Sequence, residues 1–200
     1  MDTANHWISG ILAFLLLTSF LKIFVTLSIL RFGLNLEQGS FGLITAVASV
    51  ALTIVVMAPH LSALGGIEGL LQGGQQGITA HAQKLKPFLE QHADAGVLGR
   101  VHEAPSADAT PGGAADRPAQ TPETLVAAFV MSELRSAFSL GVMLLIPFLV
   151  IDLLVANVLL ALGAQQLSVV SIALPLKLLL FVAVDGWALL TSKLLTSYAA

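Results

Sequence analysis

Four long apolar blocks, separated by polar segments of unequal length, organise this 200-residue chain. The first runs from about Trp7 to Leu30 and contains Lys22. The second, about Phe41 to Leu64, carries no charge. The third, about Ala137 to Leu162, encloses Asp152, and the fourth, about Leu167 to Leu190, encloses Lys177 and Asp185. At 1.5 Å rise per residue, each block as a helix crosses a hydrocarbon core of ~30 Å. In lipid a helix satisfies its own backbone groups, so four helices are the expected form. The pattern therefore predicts an all-α integral membrane protein of four long apolar helices in kinked hairpins, with a partly helical middle insertion.

The linkers set the pairing. Arg31–Ser40 is a short polar turn holding Gly33, Asn35 and Gly39, so residues 1–64 read as a first hairpin. Gly163–Gln166 is shorter still and predicts a tight antiparallel hairpin within residues 124–200. Residues 65–123 hold most of the polar side chains. Within them Ile78–His92 reads as partly helical, with Pro87 as a break or first-turn residue. Glu103–Thr121 is rich in Ala, Pro, Gly and Asp, a composition that cannot bury a core and predicts a flexible loop over about 94–121. Thr121–Pro122–Glu123 reads as a helix start, with Pro in the first turn and an acid at the positive end of the dipole. That helix is expected to run through Glu133 and Arg135 into the third block.

Composition strengthens this picture. Hydrophobic residues make up 56% of the chain, charged residues 10%, and the mean hydropathy is +0.88. Soluble domains average about 25% charged residues. Net charge is −3, which gives no sign of a nucleic-acid partner. With no cysteine, disulfides, iron–sulfur clusters and thiol catalysis are excluded. Met1–Gly10 contains Asp2 and no Lys or Arg, and the apolar run outlasts a signal-peptide core. It reads as a retained membrane helix. Basic residues in the short loops disagree about orientation, and the middle segment is too long for the positive-inside rule to decide.

Candidate chemistry lies in the charges within the apolar blocks: Lys22, Asp152, Lys177 and Asp185. A charge at the bilayer centre costs at least ~2.5–3.5 kcal/mol on insertion scales, so each needs a partner. Lys177 and Asp185 share a helix face but are too far apart to touch. Asp152 is expected to pair with Lys22 or Lys177, within or between subunits. These charges fit structural ion pairs or snorkelling near helix ends somewhat better than a polar conduit or proton relay. Gly65, Gly69, Gly73 and Gly77 recur every four residues, either as a ridge for close helix approach or as a flexible linker. His6, His60, His81, His92 and His102 lack zinc-site spacing and read as surface residues. Pro147 and Pro175 should kink or break their helices, which at membrane depth suits a packed assembly or a cavity lining. No phosphate loop, nucleophile elbow, zinc-protease motif or paired-carboxylate constellation occurs, so no enzyme activity, cofactor or metal is expected.

Taken in order, several segments resemble the SctR/FliP family of type III secretion and flagellar export. Leu17–Arg31 (LTSFLKIFVTLSILR), Thr53–His60 (TIVVMAPH) and Lys84–His92 (KLKPFLEQH) are similar to that family's first three blocks. Ala128–Gly163 (AFVMSELRSAFSLGVMLLIPFLVIDLLVANVLLALG) is the most extensive similarity, followed by LPLKLLLFVAVDGW and a terminal SY in Leu174–Tyr198. The likeness covers most of the chain outside about 94–121.

This resemblance implies a core subunit of the bacterial export gate. Such a subunit is expected in the inner membrane as a multi-pass protein with its middle segment periplasmic. It implies a ring, pentameric in the family, with S- and T-type subunits and further export apparatus subunits, through which unfolded protein substrates leave the cytoplasm. It also implies kinked hairpins packed on neighbours, lifted largely out of the lipid. Glu133 and Arg135 stand in and beside the matching SEL stretch (Ser132–Leu134), and the resemblance implies an interface there. The pore-constriction loop carries over to Gly163, Ala164, Gln165, Gln166 and Leu167, although the family's consecutive methionines are replaced here by glutamines. The family's Gln-Gln-x-Pro-Pro is replaced by Asn35–Ser40. The alternative reading of the residues is a small-molecule or ion transporter or channel with an embedded Lys/Asp site.

Overall fold

The computed structural model describes residues 19–36, 40–61, 82–94, 96–99 and 122–198. All its regular elements there are helical: α1 (Phe20–Gly33), α2 (Phe41–Leu61), α3 (Lys86–His92), α4 (Pro122–Ala161), α5 (Val169–Ala183) and α6 (Gly186–Thr196). Among the described residues, α2 and α4 are long and apolar enough to cross a membrane. The α5–α6 pair makes a third span if taken together, bent by 59°. The first apolar block is described only from Ser19 onward, and the glycine ladder, His6, His81, His102 and Thr121 lie outside the described residues, as do the side chains of His60 and Glu123.

The two segments expected to be hairpin turns begin with the same device. At the end of α1, Asn35 takes a left-handed backbone (φ 57), Asn35 N–H donates to the Phe32 carbonyl and Leu36 N–H to that of Arg31. At the end of α4, Gly163 (φ 69) donates to Leu160 and Ala164 to Leu159. This double closure satisfies the last carbonyls of a helix and reverses the chain. Glycine takes a left-handed φ freely and asparagine more readily than most residues, which is why these two stand there.

The fourth block departs from the single helix that its hydropathy predicts. Pro147 and Pro175 each lie inside an unbroken helix. A proline deletes one rung of the ladder, and the flanking rungs carry these helices past it. The break falls instead at Val184–Asp185, where Asp185 is left-handed (φ 49, ψ 52) and α6 begins at Gly186. A Cβ on Gly186 would collide with the Phe181 ring, so only glycine lets the chain turn this closely on α5. Phe181 in turn meets Trp187 edge-on at 5.5 Å and Phe148 at 6.4 Å, bracing the bend with aromatic contacts.

The chain forms two compact units, each with its own core. In the unit comprising residues 1–22 and 53–136, Met57, Leu89, Leu125 and Phe129 are fully buried. Phe88 packs on Phe129 at 5.6 Å and on His92 at 4.5 Å, and His92 Nδ1 lies 2.9 Å from the Phe88 carbonyl. Asp94 opens the segment expected to be a flexible loop, yet its Oδ1 accepts the amides of Gly96 and Val97 and starts a helical turn over 96–99. In the unit comprising residues 23–52 and 137–200, Ile23, Leu27, Phe148 and Phe181 are buried. A Cβ on Gly141 would collide with Ile29, so α1 lies against α4 at backbone distance.

Much apolar surface is left open. Only 17% of each candidate span is buried within the chain. On α4, Met143, Ile146, Leu149, Val150, Leu153 and Leu154 are all exposed. A water-exposed patch of this size is not tolerated by a soluble monomer, so lipid or other protein covers it.

Candidate functional site: paired charges and the α4–α5 loop

Each of the two compact units holds one buried lysine, and each lysine has an acidic partner in the same unit. Lys177, on α5, is 0% exposed. Its Nζ donates to Asp152 Oδ2 on α4 at 2.7 Å and to the Gly33 carbonyl at the end of α1 at 2.8 Å. Of the two lysines weighed for Asp152, Lys177 is the one beside it. One ammonium thus ties three helices together, because the carbonyl left unbonded at a helix C-terminus is a ready acceptor. Asp152 is 31% exposed at its side chain, and its Oδ1 is enclosed with no hydrogen-bond partner among the described residues.

Lys22, on α1, sits 3.6 Å from Glu133 on α4, both side chains 4% exposed. The motif-like pair Glu133 and Arg135 therefore divides. Glu133 is an interior partner of Lys22, while Arg135 is exposed and 3.7 Å from the exposed Asp94. Ser132 links the same region: its Oγ donates to the Ala128 carbonyl and accepts the Asp94 amide, both at 2.8 Å. An exposed pair such as Arg135–Asp94 contributes ~0–1 kcal/mol, whereas breaking a buried pair costs several times that.

The remaining predicted residues lie elsewhere. Asp185 is exposed and its side chain makes no cap bond to α6; its role is conformational, at the bend. In the α4–α5 loop, Gly163, Gln165, Gln166 and Leu167 are exposed and Ala164 is half-buried. Ser168 caps α5 by accepting the Ser171 amide. Sequence reasoning missed Gly33, Ser132 and Asp94. The first acts through its carbonyl, which every residue has, so no residue type could have signalled it.

An all-helical membrane protein with buried, internally paired charges and wide exposed apolar faces is the class this geometry defines. The FliP family model matches residues 8–194. The flagellar biosynthetic protein FliP of Cereibacter sphaeroides is 37% identical over 188 residues, 91% of this chain and 61% of that protein. The harpin secretion protein HrpW of Pseudomonas syringae pv. syringae is 36% identical over 204 residues, covering 94% of this chain and 95% of that one. The Yop proteins translocation protein R of Yersinia pseudotuberculosis serotype I is 35% identical over 193 residues, covering 90% and 87%. The chain belongs to the FliP family. It spans less than two thirds of the Cereibacter protein's length.

Proposed function

We propose that this chain is a core subunit of a type III secretion export gate in the bacterial inner membrane. Copies of it assemble with S- and T-type subunits into a portal for unfolded proteins, with residues 65–123 as a periplasmic segment and residues 1–64 and 124–200 as the flanking hairpins. The observation that carries the reading is the unsatisfied surface of the second unit. Its apolar α4 face is open, with Met143, Ile146, Leu149, Val150, Leu153 and Leu154 exposed. Such a face demands a neighbour that buries its apolar area. The Gly163–Leu167 loop is the candidate constriction. Its exposed glutamines would seal by hydrogen bonding, where a methionine ring would seal by soft packing.

Internal pairing weighs against the transporter alternative. Lys177 already has a carboxylate and a carbonyl, leaving little for a small ligand to bind.

The test is co-expression with S- and T-type subunits in a strain lacking its own copy. A stable complex in detergent and restored secretion of a reporter substrate are expected. Gln165→Trp or Gln166→Trp should reduce secretion while the complex still forms. A chain that stays monomeric with both partners overturns the reading. Solute or ion flux through the purified protein in liposomes would support the transporter instead.

A further inference from the structure

A half-buried cation with no partner among the described residues stands at the end of α1. Arg31, in the last turn of α1, makes no hydrogen bond or ion pair among the described residues, and its Nε is buried without a partner. It lines an open slot of about 240 Å³ whose walls include Leu27, Leu34, Ile44, Phe181 and Trp187. The Thr45 hydroxyl on the slot already donates to the Phe41 carbonyl at 2.8 Å. Besides the Trp187 indole N–H, the guanidinium is the polar group left to recognise a ligand, and it is the charged one.

Its surroundings favour an anion. Nη1 rests against Gly42, 2.9 Å from where a Cβ would stand, in the first turn of α2. A helix N-terminus carries partial positive charge and unpaired amides, so a cation placed there is repelled and an anion between the two is attracted by both. The rest of the slot accepts only apolar matter. A ligand with an anionic head and an aliphatic tail matches both parts. The wall residue Trp187, an amphipathic ring, suits the headgroup level of a bilayer.

We propose that the α1–α2 corner is a binding site for an anionic phospholipid, with its phosphate on the Arg31 guanidinium and an acyl chain in the slot. Guanidinium matches a phosphate bidentately, and basic pockets between membrane helices are known to take anionic headgroups. The inference goes beyond the export role and does not rest on it, because binding is measured on the chain itself.

The experiment is native mass spectrometry of the full chain in detergent, titrated with phosphatidylglycerol or phosphatidylcholine. The wild type should retain phosphatidylglycerol at least about tenfold more tightly than phosphatidylcholine. Arg31→Gln should abolish that preference, and Arg31→Lys should keep part of it. Ala48→Phe, which fills the slot without altering charge, should weaken both lipids. Helical circular dichroism of each variant confirms folding, and a variant that fails it is replaced by Arg31→Met or Ala48→Leu. Equal retention of the two lipids by the wild type overturns the proposal. So does unchanged preference in Arg31→Gln, or displacement of the lipid by inorganic phosphate at equal concentration, which would mean that the slot holds no tail.

Discussion

Lys177 lies wholly buried with Nζ 2.7 Å from Asp152 Oδ2, although 25 positions separate the two in the sequence. Removing one partner leaves the other as an uncompensated charge in an apolar surround. Asp152→Asn should therefore destabilise the folded chain by about 3–5 kcal/mol. The exchange Asp152→Lys with Lys177→Asp should recover part of that and no more, because a carboxylate at 177 would face the Gly33 carbonyl that the ammonium now bonds. Thermal unfolding in detergent reads both; full recovery in the exchange variant would mean that the Gly33 contact contributes nothing.

The Lys22–Glu133 pair calls for a different outcome. Glu133→Leu alone strands a lysine that is 4% exposed and should cost about 3–5 kcal/mol. Lys22→Met combined with Glu133→Leu should be neutral or stabilising, since well-packed apolar residues escape the desolvation cost of two ions. A double-mutant cycle on unfolding free energies measures the difference. A double variant as unstable as the single would show that the pair contributes more than apolar packing can.

At the α5–α6 bend, Gly186→Ala drives a methyl into the Phe181 ring. Overpacking of this kind costs about 1–3 kcal/mol. Adding Phe181→Leu should give back part of the loss by making room. If Gly186→Ala unfolds at the wild-type temperature, the ring contact is not what fixes the bend.

Asp185 holds a left-handed backbone with φ 49. Asp185→Gly or Asp185→Asn should leave stability within about 0.5 kcal/mol of wild type, since both residues visit that region. Asp185→Val should lose about 1–2 kcal/mol, because a β-branched side chain collides with the following carbonyl there. Equal stability of the valine and glycine variants would argue that the bend straightens when it is strained.

What could be read from the chain before its structure followed from composition and local chemistry. Four apolar blocks with short polar turns fix helices in a membrane setting, because nothing else satisfies a backbone in lipid. Gly163 and the turn at Arg31–Ser40 mark where the helices end, since chain reversal needs a residue tolerant of positive φ. Pro122 marks where α4 begins. Proline is a weaker signal inside a helix: Pro147 and Pro175 are expected to kink or break theirs, and neither helix is broken there, while a break lies at Val184–Asp185. There the cause is backbone strain and a ring–backbone contact, and neither has a sequence signature beyond one aspartate and one glycine.

The sequence by itself determined that Lys22, Lys177 and Asp152 needed partners, because an unpaired charge in an apolar block is too costly to leave alone; Asp185, expected to need one too, is exposed at the bend instead. Tertiary structure alone decided which partners they have. Lys22 goes to Glu133, Lys177 goes to Asp152 and to a backbone carbonyl, and Arg31 has no partner among the described residues. Those choices depend on which helix faces meet, and faces meet through contacts such as Ile29 on Gly141 that join residues far apart in the chain. Local pattern sets how much charge must be neutralised; only packing sets where.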